Sequence, residues 1–108
     1  MIEIEKFTNL INERFYYAAH EELEKLWFPI RKNRDNYSLL LKGFINAAVS
    51  FELYRRNKFE QSEKIYLVYK KYVTKERIDK VYNNDKFKKL KLFIDNYYQI
   101  NINNSYQI

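Results

Sequence analysis

The stretch Asn36 to Asn57, NYSLLLKGFINAAVSFELYRRN, decides how this 108-residue chain folds. Leu39, Leu40, Leu41, Phe44, Ile45, Ala47, Ala48, Val49, Phe51 and Leu53 leave hardly any face polar along its middle. A helix that is apolar nearly all round is surrounded by other helices. Residues 36–57 therefore read as the buried central helix of a bundle. A membrane span would need roughly 18 or more apolar residues with few charges, and Lys42 and Glu52 interrupt this stretch too early. No membrane association is expected.

Outward from that helix, the composition points the same way. One glycine and one proline in the whole chain argue against hairpins and turn-rich sheets. The expected class is all-α, a single bundle of about five helices. A chain of this length buries about 65% of its unfolded surface and stands without staples. The absence of cysteine removes disulfides and thiolate metal sites and fits a reducing compartment. The N-terminus, MIEIEKFTNL, has acidic residues where a secretory signal carries positive ones, so the expected location is the cytoplasm.

Toward the N-terminus, Ile2, Ile4, Phe7, Leu10 and Ile11 recur at helical spacing and predict a first helix from about Glu3 to Ile11, ended by Asn12. A second starts near Arg14 or Phe15, with Phe15, Ala19, Leu23, Leu26 and Trp27 on one side, and Pro29 stops it. Asn36 or Ser38 is the expected cap of the central helix, and Asn57 suits the left-handed residue at its end. Toward the C-terminus, a fourth helix has Phe59, Ile65, Tyr66, Val68, Tyr69 and Tyr72 as its apolar side. Lys75 to Tyr82 reads as a short helix with Ile78, Val81 and Tyr82 turned inward. Asn84 or Asp85 caps a last helix in which Phe87, Leu90, Phe93, Ile94 and Tyr97 repeat at threes and fours. These boundaries predict one domain over residues 1–99 and a frayed tail over 100–108.

The sharpest polar feature is the run His20, Glu21, Glu22, Leu23, Glu24, followed by Trp27. On a helix His20, Glu24 and Trp27 share a face. Glu52 falls at the end of the central stripe Leu41, Ile45, Ala48, where a carboxylate is costly unless a histidine, a metal or an arginine stabilises it. One reading is a site of divalent-metal or acid–base chemistry, with His20, Glu24 and Glu52 as ligands and Glu21 and Glu24 as catalytic candidates. Trp27, Lys42 and Asn46 would wall it. With a single histidine the set is not the HExxH pattern of zinc peptidases, and its oxygen-rich remainder suits iron, manganese or magnesium. The other reading is a structural network in which His20 bonds Glu52 or a tyrosine and Trp27 fills the core. Gly43, inside the central helix, reads as a packing glycine, and no nucleophile elbow or phosphate loop is present.

The segment Ala19-His20-Glu21, then Leu23-Glu24 and Trp27, followed by Gly43-Phe44-Ile45, Ala48-Val49 and Asn57, resembles a bacterial and archaeal family called domain of unknown function 309. The resemblance covers Asn12 to about Tyr72 and implies a small all-helical protein with no established activity. The family's usual glutamine, glutamine and histidine on the central helix are Lys42, Asn46 and Glu52 here, and its glycine before the last asparagine is Arg56. The resemblance thus implies that one side of any shared polar site is altered.

Charge is uneven: residues 1–54 hold seven Lys and Arg against eight Asp and Glu, whereas residues 55–108 hold thirteen against six. Lys and Arg interleaved with tyrosine in the second half can neutralise phosphates and stack on bases, which makes nucleic acid one expected partner. The residue choice of an AT-rich genome, rich in lysine, asparagine, tyrosine and isoleucine, accounts for part of that excess. Such an aromatic-rich surface also suits a protein partner or self-association. Composition and motifs favour an uncharacterised binding or structural module over a metal-dependent hydrolase.

Overall fold

The computed structural model describes residues 1–103. Over them the protein is all-α: α1 Ile2–Asn12, α2 Tyr16–Trp27, α3 Asn36–Arg55, α4 Phe59–Tyr72, α5 Lys75–Asp79 and α6 Asn84–Tyr98. A 3-10 turn, Phe28–Ile30, follows α2, and a π-helical turn, Gln99–Asn103, follows α6. No strand occurs among the described residues, and the six helices there match the six segments and the bundle of about five helices expected. None of these helices is long and apolar enough to cross a membrane.

α3 is the axis of the bundle. Leu40, Leu41, Phe44, Ile45, Ala47, Ala48 and Phe51 are buried on several sides of it, with α2 against one flank and α4 against another. Its contact with α4 is close because Gly43 has no side chain. A Cβ there would lie 2.5 Å from Val73 Cγ2 and 3.2 Å from Tyr72 Cβ. Two serines hold the same seam: Ser62 donates to the Ser50 carbonyl at 2.7 Å, and Ser50 to Ala47 O at 2.6 Å. These hydroxyls satisfy polar groups that burial would otherwise penalise.

α6 is held differently, by a layer of rings. Phe44 stacks with Phe87 and Phe51 lies against Tyr97, while Tyr66 stacks on Tyr98 with centroids 3.8 Å apart. The hydroxyls of Tyr16 and Tyr97 meet in the interior and link the two ends of the chain. Tyr69 donates to Asp95 Oδ1 at 2.8 Å. Much of the unusual aromatic content thus forms a spacer between α6 and the other helices.

Helix ends follow local chemistry, with some departures from expectation. Asp35, not Asn36 or Ser38, caps α3, its carboxylate accepting from Ser38 N at 2.9 Å. Its extended backbone, ψ 177, aims the side chain back at the first turn. α1 and α3 both close without glycine. Arg14 at φ 66 and Asn57 at φ 63 take the left-handed position. Phe15 N then bonds Leu10 O, and Lys58 N bonds Leu53 O, each at 2.9 Å. Phe15 therefore precedes α2 and is exposed, instead of joining its apolar side. Ile2 is exposed as well.

In the second half the buried face of α4 is Ser62, Tyr66 and Tyr69; Phe59 is exposed and Ile65, Val68 and Tyr72 are half-buried. α5 ends at Asp79, so the periodicity stops before Tyr82, which is 99% exposed and not turned inward. Asn83, not Asn84 or Asp85, precedes α6, and its side chain makes no capping bond. Ile100 is exposed and Ile102 buried, and the remainder of the expected frayed tail lies outside the described residues.

Candidate functional site

His20 and Glu24 stand one turn apart on α2, and the structure brings them together: Nε2 lies 2.9 Å from a Glu24 carboxylate oxygen. The other ring nitrogen sits 3.4 Å from the Tyr17 carbonyl, so both nitrogens face oxygen. Trp27 is partly buried against the core. The expected alignment of imidazole, carboxylate and indole on α2 is thus a local pair beside a packing residue.

Glu52 does not complete that group. Its side chain, 13% exposed, is clamped by two arginines of its own helix. Arg55 Nη2 donates to Oε2 at 2.6 Å and Nε to Oε1 at 3.0 Å, while Arg56 Nε donates to Oε2 at 2.7 Å. Hydrogen bonds from Arg55 hold the Glu52 carboxyl below its usual range, burial opposes this, and Arg56 adds to it. Between histidine and arginine, the two side chains expected to stabilise a carboxylate on this stripe, it is arginine that meets Glu52. Among the described residues, no three His, Cys, Asp or Glu side chains gather as a metal would require.

Glu21 is exposed and lines an open groove of about 560 Å³ together with Glu52, Arg14, Tyr17, Arg55 and Arg56. Two candidate carboxylates therefore share a groove without His20 lining it. Lys42 and Asn46 belong to another flank of α3. Asn46 donates to the Lys42 carbonyl at 2.8 Å, and the Lys42 ammonium lies 5.5 Å from the centre of the Tyr72 ring on α4.

Two groupings of these side chains are not among the expectations from the sequence. Arg55 and Arg56 follow Glu52 by three and four positions, the spacing at which helix side chains meet, and that signal was available. Lys42, Lys71, Tyr72 and Arg77 come together only because α3, α4 and α5 approach one another, which no local spacing reveals. Lys71 and Arg77 lie 5.6 and 5.9 Å from the same ring centre as Lys42.

The family model described as Domain of unknown function (DUF309) matches residues 4–65, from α1 into α4, and so covers the His20–Glu24 pair, Gly43 and Glu52. Searches of curated proteins and of solved structures returned no match.

Proposed function

Since the chain belongs to the family called domain of unknown function 309, whose designation assigns no activity, we propose a function from the side chains themselves: a small helical binding module that engages the phosphate backbone of nucleic acid through its second half. The observation that carries this reading is a set of exposed lysines, unpaired among the described residues, on and just after α4 and α5, which outnumber the exposed Glu60, Glu63 and Glu76 of the same stretch. Among the described residues, the ion pairs of the second half beyond those to Glu52 are Lys88 with Asp79 and Lys91 with Asp95. Lys64, Lys70, Lys71, Lys75 and Lys80 are exposed and have no carboxylate partner among the described residues. Such cations gain by replacing the condensed counterions of a polyanion. Of the tyrosines of this half, Tyr66, Tyr69 and Tyr97 are buried and offer no stacking surface, whereas Tyr82 is exposed. The reading is therefore electrostatic and independent of base sequence.

A binding role also accords with the carboxylates. A Glu52 held ionised by two arginines is a weak proton acceptor at neutral pH. The test is fluorescence anisotropy of a labelled oligothymidylate. Affinity should fall about 10- to 100-fold between about 50 and about 200 mM salt. Absence of binding at the lower salt, or binding indifferent to salt, refutes the reading. Elemental analysis provides the contrast: a stoichiometric divalent metal lost in both His20→Ala and Glu52→Gln would favour the metal-site alternative.

A further inference from the structure

Around Tyr72 the charge is organised, not diffuse. The ring is half-buried, and three cations from α3, α4 and α5 stand within 6 Å of its centre: Lys42 at 5.5 Å, Lys71 at 5.6 Å and Arg77 at 5.9 Å. The ring face stabilises each cation that it meets, yet it carries no net charge to balance three of them. None of the three has a carboxylate partner among the described residues. Arg77 is also held in place. Its Nη1 donates to Tyr72 O at 2.8 Å and its Nε to Asn36 Oδ1 at 3.2 Å, both neutral acceptors. The guanidinium is thereby oriented while its full charge and its second terminal nitrogen stay available. Gly43 sets the spacing, because it lets α3 approach close enough for the neighbouring Lys42 to reach a ring on α4.

We infer that Lys42, Lys71 and Arg77, gathered around Tyr72, form a subsite for one phosphate group of a nucleic-acid backbone. This deepens the reading proposed above and rests on it. A bound phosphate would supply the anionic partner that all three cations lack. The fixed guanidinium supplies directed hydrogen bonds, and the two ammonium groups supply charge on flexible stems.

The test uses two paired variants of the full chain with equal loss of charge. Lys42→Gln with Lys71→Gln empties the subsite while leaving the Arg77 hydrogen bonds intact. Lys86→Gln with Lys89→Gln removes two lysines of α6. In the anisotropy titration the subsite pair should weaken oligothymidylate binding about tenfold and reduce the salt slope by about 0.7, the value of one phosphate contact on a single strand. The α6 pair should change affinity less than about threefold. Equal losses in the two pairs overturn the subsite and leave the general electrostatic reading standing. A second readout is independent of the strand. Inorganic phosphate added to the isotope-labelled protein should shift the amides of Gly43, Tyr72 and Arg77, and the shifts should vanish in the subsite pair. Absence of those shifts in the parent protein overturns the subsite whether or not oligothymidylate binds. Failure of the parent protein to bind the strand at low salt refutes the wider reading instead.

Discussion

Replacing Gly43 by alanine probes the closest approach in the fold. In a solvent-facing helix the change would stabilise by about 1 kcal/mol, because glycine is the poorer helix former. Here the new methyl carbon would stand 2.5 Å from Val73 Cγ2 and 3.2 Å from Tyr72 Cβ, where carbon atoms prefer about 3.5–4.0 Å. About 1 Å of separation must come from somewhere. Val73 is 2% exposed and stiff about χ1, so it cannot swing clear, and the relief falls on the seam between α3 and α4. Overpacking of this kind costs about 1–3 kcal/mol. Set against the helix gain, the net expectation is a loss of up to about 2 kcal/mol, or a Tm lower by up to about 10 °C. Thermal unfolding followed by circular dichroism measures it. A double-mutant cycle with Val73→Ala, which deletes the opposing methyl, should show the pair less destabilised than the sum of the singles by about 1 kcal/mol or more. A Gly43→Ala protein that melts higher than the parent, or a cycle with no coupling, would refute the reasoning.

Other perturbations have defined outcomes. Tyr69→Phe removes the hydroxyl bond to Asp95 and should cost about 1.5–2 kcal/mol in urea unfolding, the lower part of the range for a charged acceptor because Asp95 also receives Lys91 at 2.7 Å. Arg14→Gly relieves a left-handed arginine at φ 66 and should stabilise by up to about 1 kcal/mol; a loss of stability would show that the Arg14 side chain outweighs the backbone strain. Asp35→Ala removes the cap of α3 and should cost about 1 kcal/mol, whereas Asn36→Ala leaves that cap untouched. Glu52 is ionised more readily in the folded chain than in the unfolded one. Its contribution is therefore present above the unfolded carboxylate value of about 4.3 and is lost as pH falls through the lower folded value. The Tm of the parent should accordingly drop more steeply in acid than that of Glu52→Gln, with the two converging at the lowest pH. Parallel curves would show that the arginine clamp contributes nothing to folding.

The central helix was legible because apolar residues on every side admit one environment, and the stop at Pro29 and the left-handed Asn57 were legible because each follows from one residue's own geometry. The failures lie where neighbours compete or where the third dimension decides. Asp35, Asn36 and Ser38 can each cap a helix, and the backbone direction at Asp35 selected among them. Tyr82 continued a period whose helix had already ended at Asp79. Ser62, polar and unremarked in the pattern, is buried because a carbonyl on α3 receives its hydroxyl. At the candidate site, the meeting of His20 with Glu24 follows from helix spacing, and so do the arginines on Glu52. Lys42 over Tyr72 depends on a missing methyl at Gly43, which spacing along a single helix does not report.

The ring layer beneath α6 bears on the order in which the chain acquires its shape. α1 to α4 touch one another through neighbours close in sequence, and such contacts form early at small entropic cost. The bonds that seat α6 are remote: Phe44 waits for Phe87, Phe51 for Tyr97, and the Tyr16 hydroxyl for a partner 81 positions later. During synthesis the first four helices can assemble on the ribosome while one side of Phe44, Phe51 and Tyr69 is still bare. A growing chain paused before residue 87 therefore displays a greasy aromatic floor that the finished protein hides, and it is in that interval that a chaperone, or an unwanted neighbour, finds a foothold.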